Sequence, residues 1–174
     1  MKAKSILLLG LITIFCTGMM CECDDEPGEP QLPPETTTGE NTFGCLVNGK
    51  VWRNGGVGFP NYSLAVQQLN DTSVIIQAYR DNDTSYSGFL LFVVDYELGV
   101  KRFNLNSNKT FITYTNLSYK NNNECIYEKM NNGFIEFSRF DISQNIVSGI
   151  FQSNGYNTNC GNIEITQGRF DLKK

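Results

Sequence analysis

Chemistry in this chain must proceed without histidine, because its 174 residues contain none. That absence excludes Ser-His and Cys-His nucleophile systems and every histidine-based zinc site. A pair of carboxylates could still hydrolyse glycosidic bonds. The acidic side chains available for such a pair are Asp95, Glu97, Glu124, Glu128, Glu136 and Asp141. Nothing in their spacing places two of them across a cleft, so we expect no catalytic residues, no cofactor and no enzyme.

Two short motifs imitate ligand-binding loops, but each lacks a defining residue. Residues 44–50 resemble a phosphate-binding loop, yet Val51 stands where Ser or Thr would hold magnesium. Residues 81–85 offer oxygens at alternate positions, as calcium loops do, but Tyr86 and Phe92 replace the glycine and glutamate of such loops. We interpret the first motif as a hairpin and the second as a polar turn, and we expect no metal site.

Cys21 is the candidate for covalent lipid attachment. Two lysines precede an almost unbroken apolar run at residues 6–15, which is typical of a secretory signal and too short to span a bilayer. Cys21 follows a Gly-Met-Met sequence, which departs from the usual Leu-Ala-Gly pattern. We expect a lipoprotein signal peptide at residues 1–20 and an outer-membrane anchor at Cys21. The alternative is ordinary cleavage, which would release a soluble protein.

Residues 21–41 are predicted to form a tether between the anchor and a folded domain. They hold four of the five prolines and an acidic cluster, and such composition favours extended, solvated chain. The acidic residues directly after Cys21 resemble the surface-export signal of Bacteroidetes lipoproteins. The alternative is a solvated run of charge, so the domain is expected to face either the periplasm or the cell exterior.

Beyond Cys21, the remaining cysteines in question are Cys23, Cys45, Cys125 and Cys160, which allow three pairings. Outside the cytoplasm a disulfide can persist. We predict a bridge between Cys125 and Cys160, in Asn-rich loops, which would close a loop of about 35 residues and add about 3–4 kcal/mol of stability. Cys45 is expected to be a small buried hydrophobe. A four-cysteine zinc site is disfavoured because no Cys-x-x-Cys pair exists.

Aromatic side chains supply the remaining binding chemistry. Flat rings stack on sugars and other ligands, and tyrosine keeps a polar hydroxyl. We predict Trp52, Tyr86, Tyr119 and Tyr156 as ligand-stacking residues. The alternative is that these rings fill the core or cover sheet faces. The Asn-rich stretches at 121–123 and 131–132 are interpreted as loops.

The pattern of segment 42–174 predicts a single all-β domain, because short apolar stretches alternate with clusters of Asn, Gly, Asp and Ser. The stretch at 88–96 is apolar on both faces, which predicts a central strand covered on both sides. We expect an antiparallel β-sandwich, with a flattened β-barrel as the alternative. The predicted strands are 43–47, 50–53, 62–68, 73–80, 88–96, 100–105, 111–115, 134–140, 146–152 and 163–172.

The last predicted strand contains a change of parity. Ile163 and Ile165 point to one side, whereas Phe170 and Leu172 have the opposite parity. Gly168 lies between the two pairs, so we predict a β-bulge there that resets the register. Nearby, Arg169 is expected to pair with Asp171 or with a neighbouring group and to be structural.

Two longer motifs resemble a family of uncharacterised Bacteroidetes lipoproteins. One is Phe-Gly-Cys-Leu-Val-Asn-Gly-Lys-Val-Trp at residues 43–52. The other is Ser-Gly-x-Phe at 148–151 followed by Ile-Thr-x-Gly-Arg-Phe-Asp at 165–171. The resemblance covers most of the mature domain. It implies residence in the envelope or at the cell surface and a β-sandwich-like domain, and it brings no catalytic residues.

The charge of the chain bears on whether nucleic acid could be its partner. The formal net charge is −4 and the basic residues are scattered, whereas nucleic-acid binding needs a positive footprint. We therefore expect no nucleic-acid partner. The hypothesis is a lipid-anchored, non-catalytic binding module for glycan or protein. The alternative is a structural or assembly component of the outer-membrane envelope.

Overall fold

The computed structural model describes residues 31–56, 63–70, 73–94, 102–106, 108–141 and 143–174. All regular structure within these ranges is β-strand. The strands are β1 (Thr42–Val47), β2 (Lys50–Arg53), β3 (Gly55–Gly56), β4 (Leu64–Asn70), β5 (Ser73–Asn82), β6 (Ser85–Val94), β7 (Arg102–Asn104), β8 (Thr110–Ser118), β9 (Asn123–Met130), β10 (Asn132–Asp141), β11 (Ile146–Asn157) and β12 (Gly161–Lys173).

Six strands form the first sheet, in the order β2-β1-β12-β11-β10-β7, and every neighbouring pair is antiparallel. The chain turns from β1 into β2 at Asn48 and Gly49, whose φ angles are 48° and 77°. A type I′ turn requires positive φ at both of its central positions. The predicted hairpin is therefore confirmed.

The second sheet has the order β3-β5-β6-β8-β9, and β4 also pairs with β5. Its pairings are antiparallel except for the two-residue β3, which runs parallel to β5. The two sheets pack face to face around one hydrophobic core and do not close into a barrel. The predicted β-sandwich is confirmed.

Aromatic rings join the two sheets at the centre of the core. Phe43 and Trp52 come from the first sheet and Phe89 from the second, and the ring centroid of Phe89 lies 4.8 Å from that of Trp52 and 5.6 Å from that of Phe43. Cys45 is fully buried in the same core, and this burial raises the pKa of its thiol. Cys45 is a buried hydrophobe, as predicted.

Strand β6 is central in its sheet, but the described chain covers only one of its faces. Phe89, Leu91 and Val93 are buried against the first sheet. Leu90 and Phe92 point the other way and are only half-buried. The prediction that both faces are covered is therefore wrong, and the apolar run reflects an outer face that is itself apolar.

The predicted bulge in β12 is confirmed. Phe151 pairs with Gly168, whereas Ser153 pairs with Ile165, so β12 carries one extra residue between these pairs. The positive φ of the bulge, 50°, falls on Gln167. A Cβ on Gly168 would lie 2.5 Å from the backbone oxygen of Phe151, so glycine is needed there for close approach. The bulge keeps both halves of β12 facing the core.

Strand β9 is absent from the predicted set, and β11 extends past its predicted end at residue 152. Both additions are rich in polar residues, mainly Glu in β9 and Asn in the extension of β11. Strand β9 also contains an irregularity at Lys129, where φ is 44°. Propensity disfavours strands of this composition. Pairing with β8 and β12 overrides it because the ladder satisfies the backbone polar groups.

The described part of the predicted tether lies on the domain. We call residues 31–41 the strap. Asp171, which is 1% exposed, accepts hydrogen bonds from the Thr36 hydroxyl at 2.7 Å and from the backbone N–H groups of Thr38, Gly39 and Glu40 at 2.9–3.1 Å. Ser148 donates a further bond of 2.5 Å from β11. The carboxylate of Asp171 thus fixes the strap to the first sheet.

Two arginines hold other points of the strap. Arg169 donates to the backbone oxygen of Pro33 at 3.2 Å, and Arg139 donates to that of Thr37 at 2.8 Å. Arg169 therefore contacts the strap rather than Asp171. A Cβ on Gly44 would lie 2.6 Å from Pro33, so glycine at that position lets the strap approach β1.

Candidate functional site

Trp52 does not belong to a binding surface. It is 5% exposed, its ring packs against Phe43 and Phe89, and its indole N–H donates to the Ser87 hydroxyl at 2.8 Å. Neither face of the ring is open to a ligand. The prediction of Trp52 as a stacking residue is wrong because it points inward from β2, where a large ring stabilises the core.

Tyr86 and Tyr119 lie at one end of the second sheet, where contacts within the domain engage both. The ring of Tyr86 stacks on that of Tyr79, with centroids 5.8 Å apart, and Tyr79 in turn covers Gly88. Burial and the neighbouring Tyr79 raise the pKa of Tyr86 to about 12. Cross-strand cover of a glycine by an aromatic ring is a known device for fixing register.

Tyr119 ties a hairpin end to the neighbouring strand. It is 48% exposed, and its hydroxyl donates to the carboxylate of Asp81 at 2.9 Å, which is the main cause of its raised pKa. The adjacent β5–β6 turn is closed by the side-chain oxygen of Asn82, which accepts from the backbone N–H groups of Thr84 and Ser85. The interpretation of this loop as a polar turn is confirmed.

Tyr156 differs from the other three aromatic candidates because it stands open on the outer face of the first sheet. It is 68% exposed and lies in β11 opposite Asn162 of β12. Two residues before Tyr156 in β11, Asn154 pairs directly with Asn132 of β10 on one side and with Glu164 of β12 on the other. Tyr156 is therefore the one predicted stacking residue that lies among exposed polar side chains on a paired sheet.

These side chains line a shallow depression of about 570 Å³, which we call the Tyr156 groove. The side chains of Asn131, Asn132, Asn154, Asn162 and Glu164 form no hydrogen bond to any residue that the structure describes. Each amide keeps two donors and an acceptor available. The full lining is Asn48, Asn131, Asn132, Asn154, Gly155, Tyr156, Asn162, Ile163 and Glu164.

One side of the groove is fixed by the β1–β2 turn. The backbone N–H of Asn48 donates to the backbone oxygen of Glu164 at 2.8 Å, and the side-chain oxygen of Asn48 accepts from the backbone N–H of Glu164 at 2.8 Å. This reciprocal pair holds β12 at the position of Glu164. The carboxylate of Glu164 takes no part in it.

The other side is fixed by the disulfide between Cys125 and Cys160, which confirms the predicted bridge. Cys160 lies in the β11–β12 turn, where the side-chain oxygen of Asn157 accepts from the backbone N–H groups of Asn159 and Cys160. Asn157 also donates to the backbone oxygen of Ile126 on β9. The turn that joins Tyr156 to Asn162 is therefore tied to the second sheet.

The carboxylates that line the groove bear on which chemistry it could support. A glycosidase needs two carboxylates across the scissile bond, and among the described residues that line the groove Glu164 alone carries one. In the described ranges, no three Cys, Asp or Glu side chains are placed to hold a metal ion. An open ring beside uncommitted amides suits a ligand rich in hydroxyl groups.

Tyr156 was predicted from the sequence, but its neighbours in the groove were not. Asn132 was assigned to a loop, and Asn154, Asn162 and Glu164 were not candidates. The signal that could have found them is the alternation that places Gln152, Asn154 and Tyr156 on one face of an extended β11. Across the ladder, the same face carries Asn162 and Glu164.

Cys21 lies outside the described residues. Within them, no helix is long and apolar enough to cross a membrane. The chain matches no protein-family model, no curated protein and no solved structure.

Proposed function

We propose that this protein is a lipid-anchored protein of the outer-membrane envelope or cell surface whose β-sandwich binds glycan, without catalysis, in the Tyr156 groove. The observation that carries the proposal is the exposed ring of Tyr156 beside amides that have no partner within the described chain. Ring faces stack on the C–H faces of sugars, and amides donate to and accept from hydroxyls.

The geometry of the sheet supports this ligand class. Neighbouring strands are about 4.8 Å apart, and outward side chains on one strand repeat at about 6.8 Å. Such spacing sets Asn132, Asn154 and Glu164 along a line that crosses three strands. A flat pyranose ring on Tyr156 could then present successive hydroxyls to this line. Because the side chains stand on paired strands, little backbone conformational freedom is lost on binding.

The binding test uses neutral oligosaccharides and the Tyr156→Ala variant, measured by isothermal titration calorimetry. We expect Tyr156→Ala to weaken affinity about tenfold, since a ring stack contributes about 1 kcal/mol or more. Tyr119→Ala is the matched control, because it removes an exposed tyrosine from the β8–β9 turn of the opposite sheet. Equal affinity in wild type and Tyr156→Ala would contradict the groove as the binding site.

The anchor is tested by metabolic fatty-acid labelling of wild type and Cys21→Ala, with protease shaving of intact cells. We expect the wild type to incorporate the fatty-acid label and Cys21→Ala not to incorporate it. Domain cleavage by external protease would then favour display at the cell surface, and protection would favour the periplasm. Absence of label from the wild type would mean that the protein is not anchored by lipid.

A second function is favoured by the outer face of the second sheet. Ile75, Leu90, Phe92, Phe111 and Ile126 line a shallow apolar depression of about 450 Å³ there, and the rings of Phe92 and Phe111 lie 4.9 Å apart. Contiguous apolar surface of this kind marks docking sites. An assembly component of the envelope would use it, and co-purification with an outer-membrane complex is the test of that role.

A further inference from the structure

The Tyr156 groove has a distinctive charge. Among the described residues that line it, Glu164 is the only acidic one and none is lysine or arginine. The Glu164 carboxylate forms no ion pair or hydrogen bond with any described residue. It lies directly opposite Asn154, in the row that would meet a ligand. The groove therefore offers neutral amides around a single unpaired negative charge.

We infer that the groove discriminates between glycans by charge, taking neutral chains and chains with protonated amino sugars and rejecting chains of uronic acids. This inference rests on the proposed glycan-binding function and names its ligand class. A sugar carboxylate in the groove would face Glu164 with no lysine or arginine among the described lining residues to offset it, and like charges close together repel. A protonated amine at the same place would form a charge-assisted hydrogen bond with Glu164.

The amides reinforce this selection. Asn132, Asn154 and Asn162 can each donate to a hydroxyl oxygen and accept from a hydroxyl or an N–H. They can also bond the acetamido group of an N-acetylated sugar. None of them carries a charge that could offset the repulsion between Glu164 and an acidic sugar.

The test compares three β-linked oligosaccharides of equal length, each titrated into the full-length chain at the same mildly acidic pH. They are N-acetylglucosamine oligomers, their fully deacetylated counterparts, and glucuronic acid oligomers. We expect the deacetylated oligomer to bind at least as tightly as the neutral one, and the acidic oligomer at least fivefold more weakly than the neutral one. Raising the salt concentration should reduce these differences, because salt screens exposed charges.

Glu164→Gln isolates the role of the carboxylate, because it keeps the size of the side chain and both hydrogen bonds between the Glu164 backbone and Asn48. We expect this variant to bring the affinities for the three oligomers to within about twofold of one another. Glu128→Gln, on the second sheet, changes the net charge equally and should leave the wild-type order intact. This control separates local charge from the overall charge of the protein.

The outcomes distinguish the inference from the proposed function. Neutral binding that depends on Tyr156, with acidic oligomers bound equally well, would overturn the charge selection and leave the glycan site standing. An unchanged order of affinities in Glu164→Gln would also overturn it. If none of the three oligomers binds, the proposed function and this inference fall together.

Discussion

Among single residues, Asp171 links the chemistry of one carboxylate to the position of a whole segment. Burial acts to raise the pKa of Asp171, but hydrogen bonds from Ser148, Thr36 and the backbone N–H groups of Glu40 and Gly39 outweigh it, so the pKa lies below its ordinary value. A lowered pKa in the folded state means that the ionised form stabilises the fold. That contribution is fully present above the ordinary pKa of an aspartate and is lost as pH falls through the folded value.

We expect Asp171→Asn to lower the free energy of unfolding at neutral pH by about 2–3 kcal/mol, because hydrogen bonds to a charged group are stronger than those to a neutral one. The N–H groups of the new amide would also face the N–H groups of the strap, and two donors cannot bond to each other. The variant should also lose part of the acid dependence of stability that the wild type shows below about pH 4. Urea unfolding across a pH series measures both effects.

Asp141→Asn is the control for this prediction. Hydrogen bonds from Ser143, Arg139 and Gln144 lower the pKa of Asp141 to about 2, so it also contributes to acid sensitivity. Asp141 forms no hydrogen bond with the described strap, but its partner Arg139 also donates to the backbone oxygen of Thr37. Hydrogen exchange should therefore show faster exchange at the backbone N–H groups of Thr38, Gly39 and Glu40 in Asp171→Asn, because these groups donate to Asp171. We expect a smaller change at them in Asp141→Asn, which acts on the strap only through Arg139. Unchanged protection of the strap in Asp171→Asn would contradict its assigned role.

At the scale of elements, agreement between sequence and structure depended on how strong the local signal was. The β1–β2 hairpin was predicted because Asn-Gly specifies its own turn. The β12 bulge was predicted because one extra residue is the simplest way to bring apolar pairs of opposite parity onto a single face. Strand β9 was missed because its polar composition carries no periodic signal, and its neighbours supply its pairing partners.

The strap also shows what composition can and cannot predict. Proline and acidic composition predicted an extended, solvated tether, and residues 31–41 do form neither helix nor strand. The prediction that they are solvated rather than packed is wrong, because hydrogen bonds dock them on the first sheet. Composition could not predict that Gly44, Arg139, Arg169 and Asp171 would hold this segment, because these partners are distant from it in sequence or belong to the folded sheet. Gly44 lies in the motif at residues 43–52, and Arg169 and Asp171 lie in the motif at residues 165–171. Docking of the strap gives both motifs a physical role.

At the scale of the molecule, the disulfide joins the two halves of the sandwich. Cys125 lies on β9 of the second sheet and Cys160 in the β11–β12 turn of the first, 35 residues apart. We expect the double variant Cys125→Ser, Cys160→Ser to lower the free energy of unfolding by about 3 kcal/mol, since the unfolded chain regains the freedom of that loop. Denaturant unfolding measures it. Dithiothreitol should destabilise the wild type and leave the double variant unaffected.

The sequence by itself determined the fold class, the first hairpin, the bulge and the identity of Tyr156 as a candidate, because each of these is written in local composition, parity or turn chemistry. Only the tertiary structure decided that Trp52 is buried while Tyr156 is open, since exposure depends on what packs against a side chain. It also brought Asn132, Asn154 and Glu164 into one row. Strand pairing across the sheet sets such neighbours, and no spacing along the chain encodes it.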